Sequence, residues 1–239
     1  MAAIALVFAS SCTHPTQTQQ IVDSNAISHA DIAPIIDGDI DSVWNAVPWQ
    51  VMDQQWIGTA YTAEDFNGRF KLLWNANNLF VLAEIVDDTL IDIHPNPLER
   101  YWDDDCLEIF LDPNGSGGNH QYNYNAFAYH IALDGNVADM GTDSLPLLLN
   151  SHLVMKKKTN GHTTNWEVAL KLYDDKFDPK VVNTPITLQK GARIGFAIAY
   201  CDNDTSLTRE CFVTSAPVEG PDKDQGWRDA NVFTKYILK

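Results

Sequence analysis

Basic residues are scarce. Lys and Arg number 16 against 32 Asp and Glu, giving a formal charge of −16 and a pI near 4.5. So acidic a surface repels phosphate backbones and anionic lipid headgroups, which excludes general binding to nucleic acid or a bare membrane surface. Long apolar runs are also missing. The run AAIALVFA at 2–9 stops after eight residues, far short of the roughly twenty a helix needs to cross a bilayer. Only four cysteines are present, with no CxxC pair or Cys/His cluster, so a zinc site has no support. Apolar spacing of the helical kind is rare, which removes helix bundles and alternating α/β folds.

What remains is a chain of 239 residues, 45% apolar and 20% charged. That suits one folded domain with one sizeable core. Seven Trp, eight Tyr and ten Phe exceed what such a core requires, so a binding face is the place to seek some of the Trp.

The apolar run at 2–9, followed by Ser10, Ser11 and Cys12, has the shape of an export signal. A Cys directly after Ala9-Ser10-Ser11 resembles a bacterial lipoprotein cleavage site, with Cys12 as the lipidated residue. The expected organisation is therefore an export signal over 1–12, a polar tether over 13–32 and a folded domain over 33–239. The expected location is periplasmic, cell-surface or extracellular, with membrane contact only through a lipid on Cys12.

Strand patterns dominate beyond residue 33. Residues 70–74 and 79–86 read as a hairpin turned by Asn75 to Asn78. Further strands are expected at 106–112, 121–133, 152–159, 165–172, 193–201, 209–214 and 233–238, separated by turn chemistry such as DPNGSGGN at 112–119. A short helical turn over Asp41–Ala46, with Asp41 as N-cap and Trp44 inward, is the best helical candidate. Eight or nine short strands with so little helix predict an all-β antiparallel β-sandwich, jelly-roll or immunoglobulin-like. Lys156, Lys157 and Lys158 mark an exposed edge. Turning the segment 193–214 at Ser206 sets Cys201 opposite Cys211, within disulfide reach; two buried thiols are the alternative.

Alternation also separates faces. In WDDDCLEIFLD, Leu107, Ile109 and Leu111 share the core side, while Cys106, Glu108 and Phe110 point the other way with Trp102 near the entry. On the next expected strand Gln121, Asn123 and Asn125 form a row of amides continued by Phe127 and Tyr129. Carboxylates, amides and flat indoles match a pyranose, whose C–H face packs on an aromatic ring and whose hydroxyls need planar donors and acceptors. A solvated amide face is the plain alternative.

The segments PIIDGDIDSVWN (34–45), FKLLWNANNLFVLAEIVDDTL (70–90), YWDDDCLEIFLDPN (101–114), WEVALKL (166–172), RIGFAIAYCDND (193–204) and GWRDANVF (226–233) succeed one another as in family 9 carbohydrate-binding modules, which the chain resembles. The resemblance implies a non-catalytic β-sandwich from xylanase-type secreted proteins, binding oligo- or polysaccharide. It implies a sugar held between Trp102 and Trp227, with Glu108 accepting hydroxyl hydrogen bonds and Asn123, Gln121 and Asn125 beside it. Two departures accompany it: Asn123 stands where the family has an arginine, and Ala199 where it has a glutamine. Structural calcium is a further implication, and the acidic runs Asp103–Asp105 and Asp87-Asp88 offer the hard oxygen ligands it prefers. Paired carboxylates for glycoside hydrolysis are not evident, because consecutive aspartates point to opposite faces. Two rival readings are a b-type haem sandwich drawing on Met140 or Met155 with His130 or His152, and a scaffold domain that only binds partner proteins.

Overall fold

The computed structural model describes residues 25–239. The expected export signal, the lipidation site Cys12 and most of the expected tether lie outside these residues. Among the described residues the elements are fourteen strands and three short 3₁₀ turns. The strands begin with β1 (Ala26–His29), β2 (Gln50–Met52), β3 (Gln54–Gly58), β4 (Phe66–Trp74) and β5 (Leu79–Asp87). Next come β6 (Cys106–Asp112), β7 (Phe127–Ala132), β8 (Val137–Met140), β9 (Pro146–Leu148) and β10 (Leu153–Asn160). The last are β11 (Thr163–Leu170), β12 (Arg193–Asp202), β13 (Cys211–Thr214) and β14 (Thr234–Leu238).

They form two layers. One carries β10-β11-β5-β4 with β2 paired onto β4, the other β14-β12-β6-β7-β8-β9, with β13 paired onto β12 and β3 onto β13. Every pairing is antiparallel except those of β1, which runs parallel to β4 on one side and to β14 on the other. This strand stitches both layers into one hydrogen-bonded path and uses both of its backbone edges. It also corrects the expected boundary: the folded domain starts inside the supposed tether, because AISH gains its order from two partners rather than from its own alternation.

Leu107, Ile109 and Leu111 of β6 meet Phe70, Leu72 and Val81 of the opposite layer in the main core, as alternation requires. Each layer also packs something on its outer side. Trp44, fully buried on the 3₁₀ turn Ser42–Ala46, covers Leu73, Phe80 and Leu82 of the β4–β5 hairpin. Burying a side chain of that size contributes about 2–3 kcal/mol. Asp41 precedes this turn without capping it by side chain; its carboxylate accepts from the Ile35 amide at 2.6 Å. On the other layer, Trp56, Phe110, Phe212 and Phe233 form a third cluster beneath the loop segment 215–233.

Two register findings correct the sequence reading. Cys201 lies opposite Phe212, and Cys211 opposite Asp202, so Cys201 and Cys211 occupy opposite faces and no disulfide joins them. A shift of one residue inverts every side chain on a strand. Residues 121–126 are irregular, and β7 begins only at Phe127. Asn125 donates its amide N–H to the Asn123 side chain at 2.9 Å, and local side-chain bonding of this kind displaces a strand ladder. Phe127 and Tyr129, stacked 5.3 Å apart, therefore face the main core. β10 ends the path with its three lysines, an exposed edge, and Lys158 pairs with Asp39 at 2.7 Å.

Candidate functional site

Pairing across the second layer sets Ala199 of β12, Glu108 of β6 and His130 of β7 in one row on the outer face. Ala128 and Ala199 are small, so the sheet beside Glu108 is left hollow. Loops build the walls. Trp102 sits on a turn, 38% exposed, following Arg100 whose φ of 55° is left-handed. That turn is tied to the loop after β12, where the Asn203 side-chain amide donates to the Asp103 carbonyl at 2.7 Å. Trp227 lies on the 225–229 turn, held because the Gly226 carbonyl accepts from His120 Nε2 at 2.8 Å. Gly226 presses on Phe110 and Trp56, where an added Cβ would meet both rings at 2.7 Å.

The result is an open cavity of about 290 Å³. Trp102, Tyr101 and Trp227 supply its aromatic border, and Glu108, His130, Asp139, Arg209 and Asp224 its polar part. Tyr101 meets Trp102 and His130 edge-on at 4.9 and 4.8 Å. Arg209 donates to Asp224 at 3.2 Å and lies over the Phe212 ring at 4.4 Å.

Protonation at the floor follows from partners. His130 Nδ1 lies 3.1 Å from the Ala128 carbonyl, which only accepts, so Nδ1 carries a proton. Burial, helped by Arg209, pushes His130 down to about 3, so the ring is neutral and Nε2 is an acceptor. Burial pushes the Glu108 carboxyl well above its ordinary range. Glu108 Oε1, 3.1 Å from His130 Nε2, accordingly donates a proton to it. Its Oε2 is then a buried carbonyl-type acceptor with no partner among the described residues. An orphaned buried acceptor costs about 1–3 kcal/mol until a donor reaches it.

The profile described as carbohydrate family 9 binding domain-like matches residues 36–239. The chain belongs to carbohydrate-binding module family 9. Exoglucanase XynX of Acetivibrio thermocellus is 26% identical over 209 residues, 86% of this chain and 16% of that enzyme. Endo-1,4-beta-xylanase A of Thermotoga neapolitana is 32% identical over 91 residues, 38% of this chain and 8% of the enzyme. The chain thus spans less than a fifth of these relatives' length. A family 9 module from Caldicellulosiruptor kristjanssonii in complex with cellotriose has a TM-score of 0.66 at 22% identity, over 90% of this chain and 92% of that one. The glucose complex gives 0.64 at 23% identity, over 90% and 94%. At this identity the likeness shows the fold, a β-sandwich.

Of the residues singled out from sequence, Trp102, Trp227 and Glu108 border this one cavity of the family 9 module. Gln121 and Asn123 border a small recess that shares Asp139, Met140 and Trp227 with it. Asn125 does not; its amide donates to the Gly117 carbonyl at 2.9 Å, turned into the 112–119 loop. The row of three amides is therefore broken up. Arg209, Asp139 and Asp224 escaped the sequence reading, and His130 entered it only as a haem-ligand candidate. As a partner of Glu108, His130 was within reach, because pairing β6 with β7 sets the two opposite; Arg209, expected in a strand from 209, lies instead on the loop before β13. As for the haem reading, both ring nitrogens of His130 are engaged, and His152 lies in the main core with Tyr129 Oη at 2.9 Å. Met155 packs against that same core.

A second polar cluster lies at the strand ends. Asp87, Asp105 and Asp202 bring carboxylate oxygens within 4.8 Å of one another, with Asp65, Asp88, Asp204 and Glu210 alongside. Asp103 and Asp104 of the acidic run turn elsewhere, to Arg100 and His94. Both Asp202 oxygens are buried with no hydrogen-bond partner among the described residues. Burial and then Asp87 push Asp105 up to about 9 and Asp202 up to about 8. An all-carboxylate set with two orphaned oxygens fits a hard divalent cation such as Ca²⁺.

Proposed function

We propose that the module binds a neutral saccharide, a β-glucan or xylan chain or its end, in the cavity bordered by Trp102 and Trp227. The observation that carries this reading is the unpartnered Glu108 Oε2 at the floor of an aromatic-walled cavity. A sugar ring stacks its C–H face on an indole, and one hydroxyl donates to Oε2. Arg209 offers donors in place of the family arginine that Asn123 replaces, and Asn123 and Gln121 lie in reach of a hydroxyl beyond Trp227. The volume is at the small end of ligand pockets, roughly 300 Å³ and upward, which favours a short saccharide or a chain end over a long internal segment.

Two indole contacts of about 1–2 kcal/mol each, by analogy with aromatic pairs, and a few hydrogen bonds of about 1 kcal/mol total ~4–6 kcal/mol. That is a Kd from about millimolar to tens of micromolar, sufficient for a module held near its substrate. We extend the reading to an exported, Cys12-anchored protein serving polysaccharide degradation beside a glycoside hydrolase, on the strength of the 2–12 segment and the enzymes among its relatives. We likewise assign Asp87, Asp105 and Asp202 to structural Ca²⁺. Calorimetric titration with cellobiose and xylobiose is the deciding experiment. Saturable heat in the sub-millimolar range supports the function, and silence at tens of millimolar of both sugars removes it.

A further inference from the structure

The register that separates Cys201 from Cys211 joins Cys201 to a different cysteine. On the β6 side of β12, Cys201 is paired directly with Cys106. Both side chains lie in the same cluster on the outer face, at 1% and 0% exposure. The neighbouring Cys201 thiol, more than burial, pushes the Cys106 thiol well above its ordinary range. Directly opposed residues of an antiparallel pair have Cα atoms about 4.5–5.5 Å apart, inside the range a disulfide spans.

We propose that Cys106 and Cys201 form an intrachain disulfide when the chain folds in an oxidising environment, and that this bond clamps the end of the β6–β12 ladder. The location gives the clamp a task. Cys201–Cys106 is the last rung of that ladder. The next residue outward on each strand is an aspartate, Asp105 on one and Asp202 on the other, and their carboxylates converge in the acidic cluster. A covalent rung beside these crowded carboxyl groups holds the strand ends together where no cation bridges them. Cys211 faces the main core and takes no part.

The chemistry balances with an external disulfide as oxidant, glutathione disulfide or the active-site disulfide of a thiol oxidoreductase. One cysteine thiolate attacks an oxidant sulfur, forming a mixed disulfide and expelling one oxidant thiolate. The second cysteine, as thiolate, attacks the protein sulfur of that mixed disulfide and expels the other oxidant thiolate. Two protein thiols are oxidised, one oxidant disulfide is reduced to two thiols, and the protons of the cysteines end on them. Because both sulfurs are buried in the finished fold, exchange belongs to the folding chain, before segment 215–233 covers them.

The test refolds the full chain with glutathione disulfide, alkylates it in denaturant with iodoacetamide, and digests it with trypsin. Cleavage at Arg209 separates Cys201 from Cys211, so the partner of Cys201 is read directly. The expected product joins the Cys106 and Cys201 peptides at a mass two hydrogens below their sum, with Cys211 alkylated. Closing a loop of roughly a hundred residues raises Tm by roughly 5–10 °C over the reduced protein, and by more in a chelator than in millimolar Ca²⁺. Cys211→Ala keeps the cross-link and serves where Cys201→Ala fails to fold. Alkylation of both Cys106 and Cys201, a glutathione adduct left on either, or a bond from Cys201 to Cys211 overturns the proposal.

Discussion

Glu108 keeps its proton where an exposed glutamate has lost it, and that sets what substitutions do. If the group works as a neutral donor to His130 and a neutral acceptor to a sugar, glutamine reproduces both roles. Glu108→Gln should retain cellobiose affinity within a few-fold, whereas Glu108→Ala should weaken it by about 1–3 kcal/mol, both read by calorimetry. A charged glutamate as the working form would show instead as a large loss in the glutamine variant. Trp102→Ala should weaken binding about 5–30-fold with thermal stability nearly unchanged, since the ring is 38% exposed.

His152 carries a pH consequence. It is buried among Tyr129, Tyr173 and Phe177, and burial, with Lys171, pushes it down to about 4. Between pH 6.5 and 4 the unfolded chain takes up a proton there that the folded protein refuses, so stability falls as pH falls through this window. At pH 4.5 the loss from this residue is roughly 2 kcal/mol. His152→Phe should flatten the acid limb of a Tm–pH profile by that amount; an unchanged limb would remove the assignment.

Among the elements, the 3₁₀ turn Ser42–Ala46 depends on one residue of a distant strand. Glu167 of β11 accepts from the Asp37 and Gly38 amides at 3.1 and 2.9 Å and from Trp44 Nε1 at 3.3 Å. Glu167→Ala should cost roughly 2–4 kcal/mol by stranding buried donors, measurable by urea denaturation, with sugar binding on the opposite layer intact. The strands that alternation revealed, β4, β5 and β6, are long enough for the pattern to declare which face is inward. β1, β2, β8 and β9 have three or four residues each and owe their order to neighbours, so their own sequence is mute. The Cys201–Cys211 reading failed for a narrower reason: the connection after β12 runs from 203 to 210, an even number of residues, and the symmetric turn at Ser206 needed an odd one. Glu108, Trp102 and Trp227 were legible as a motif in order along the chain; Arg209 and Asp224 reach the cavity only through loop geometry.

For the whole molecule, the charge of −16 frames both partners and ions. Neutral glycans approach freely, while polygalacturonate and other uronate-rich chains meet repulsion; retention on an affinity gel should favour xylan or cellulose, and added salt should narrow the gap. Millimolar Ca²⁺ should raise Tm by roughly 5–10 °C if it fills the Asp87–Asp105–Asp202 cluster at about a hundred times its Kd. Asp202→Asn should remove that rise in differential scanning calorimetry.

Strand β1 has a consequence for how the protein is made. It leaves the ribosome among the first residues of the domain, yet one of its two partners is β14, near residue 238. The seam between the layers therefore stays open throughout synthesis, and closure waits for nearly the full polypeptide. Such long-range pairing slows folding and leaves unpaired edges exposed to aggregation meanwhile, so translocation before closure, or a chaperone's hold on the nascent chain, suits this architecture better than rapid collapse at the exit tunnel.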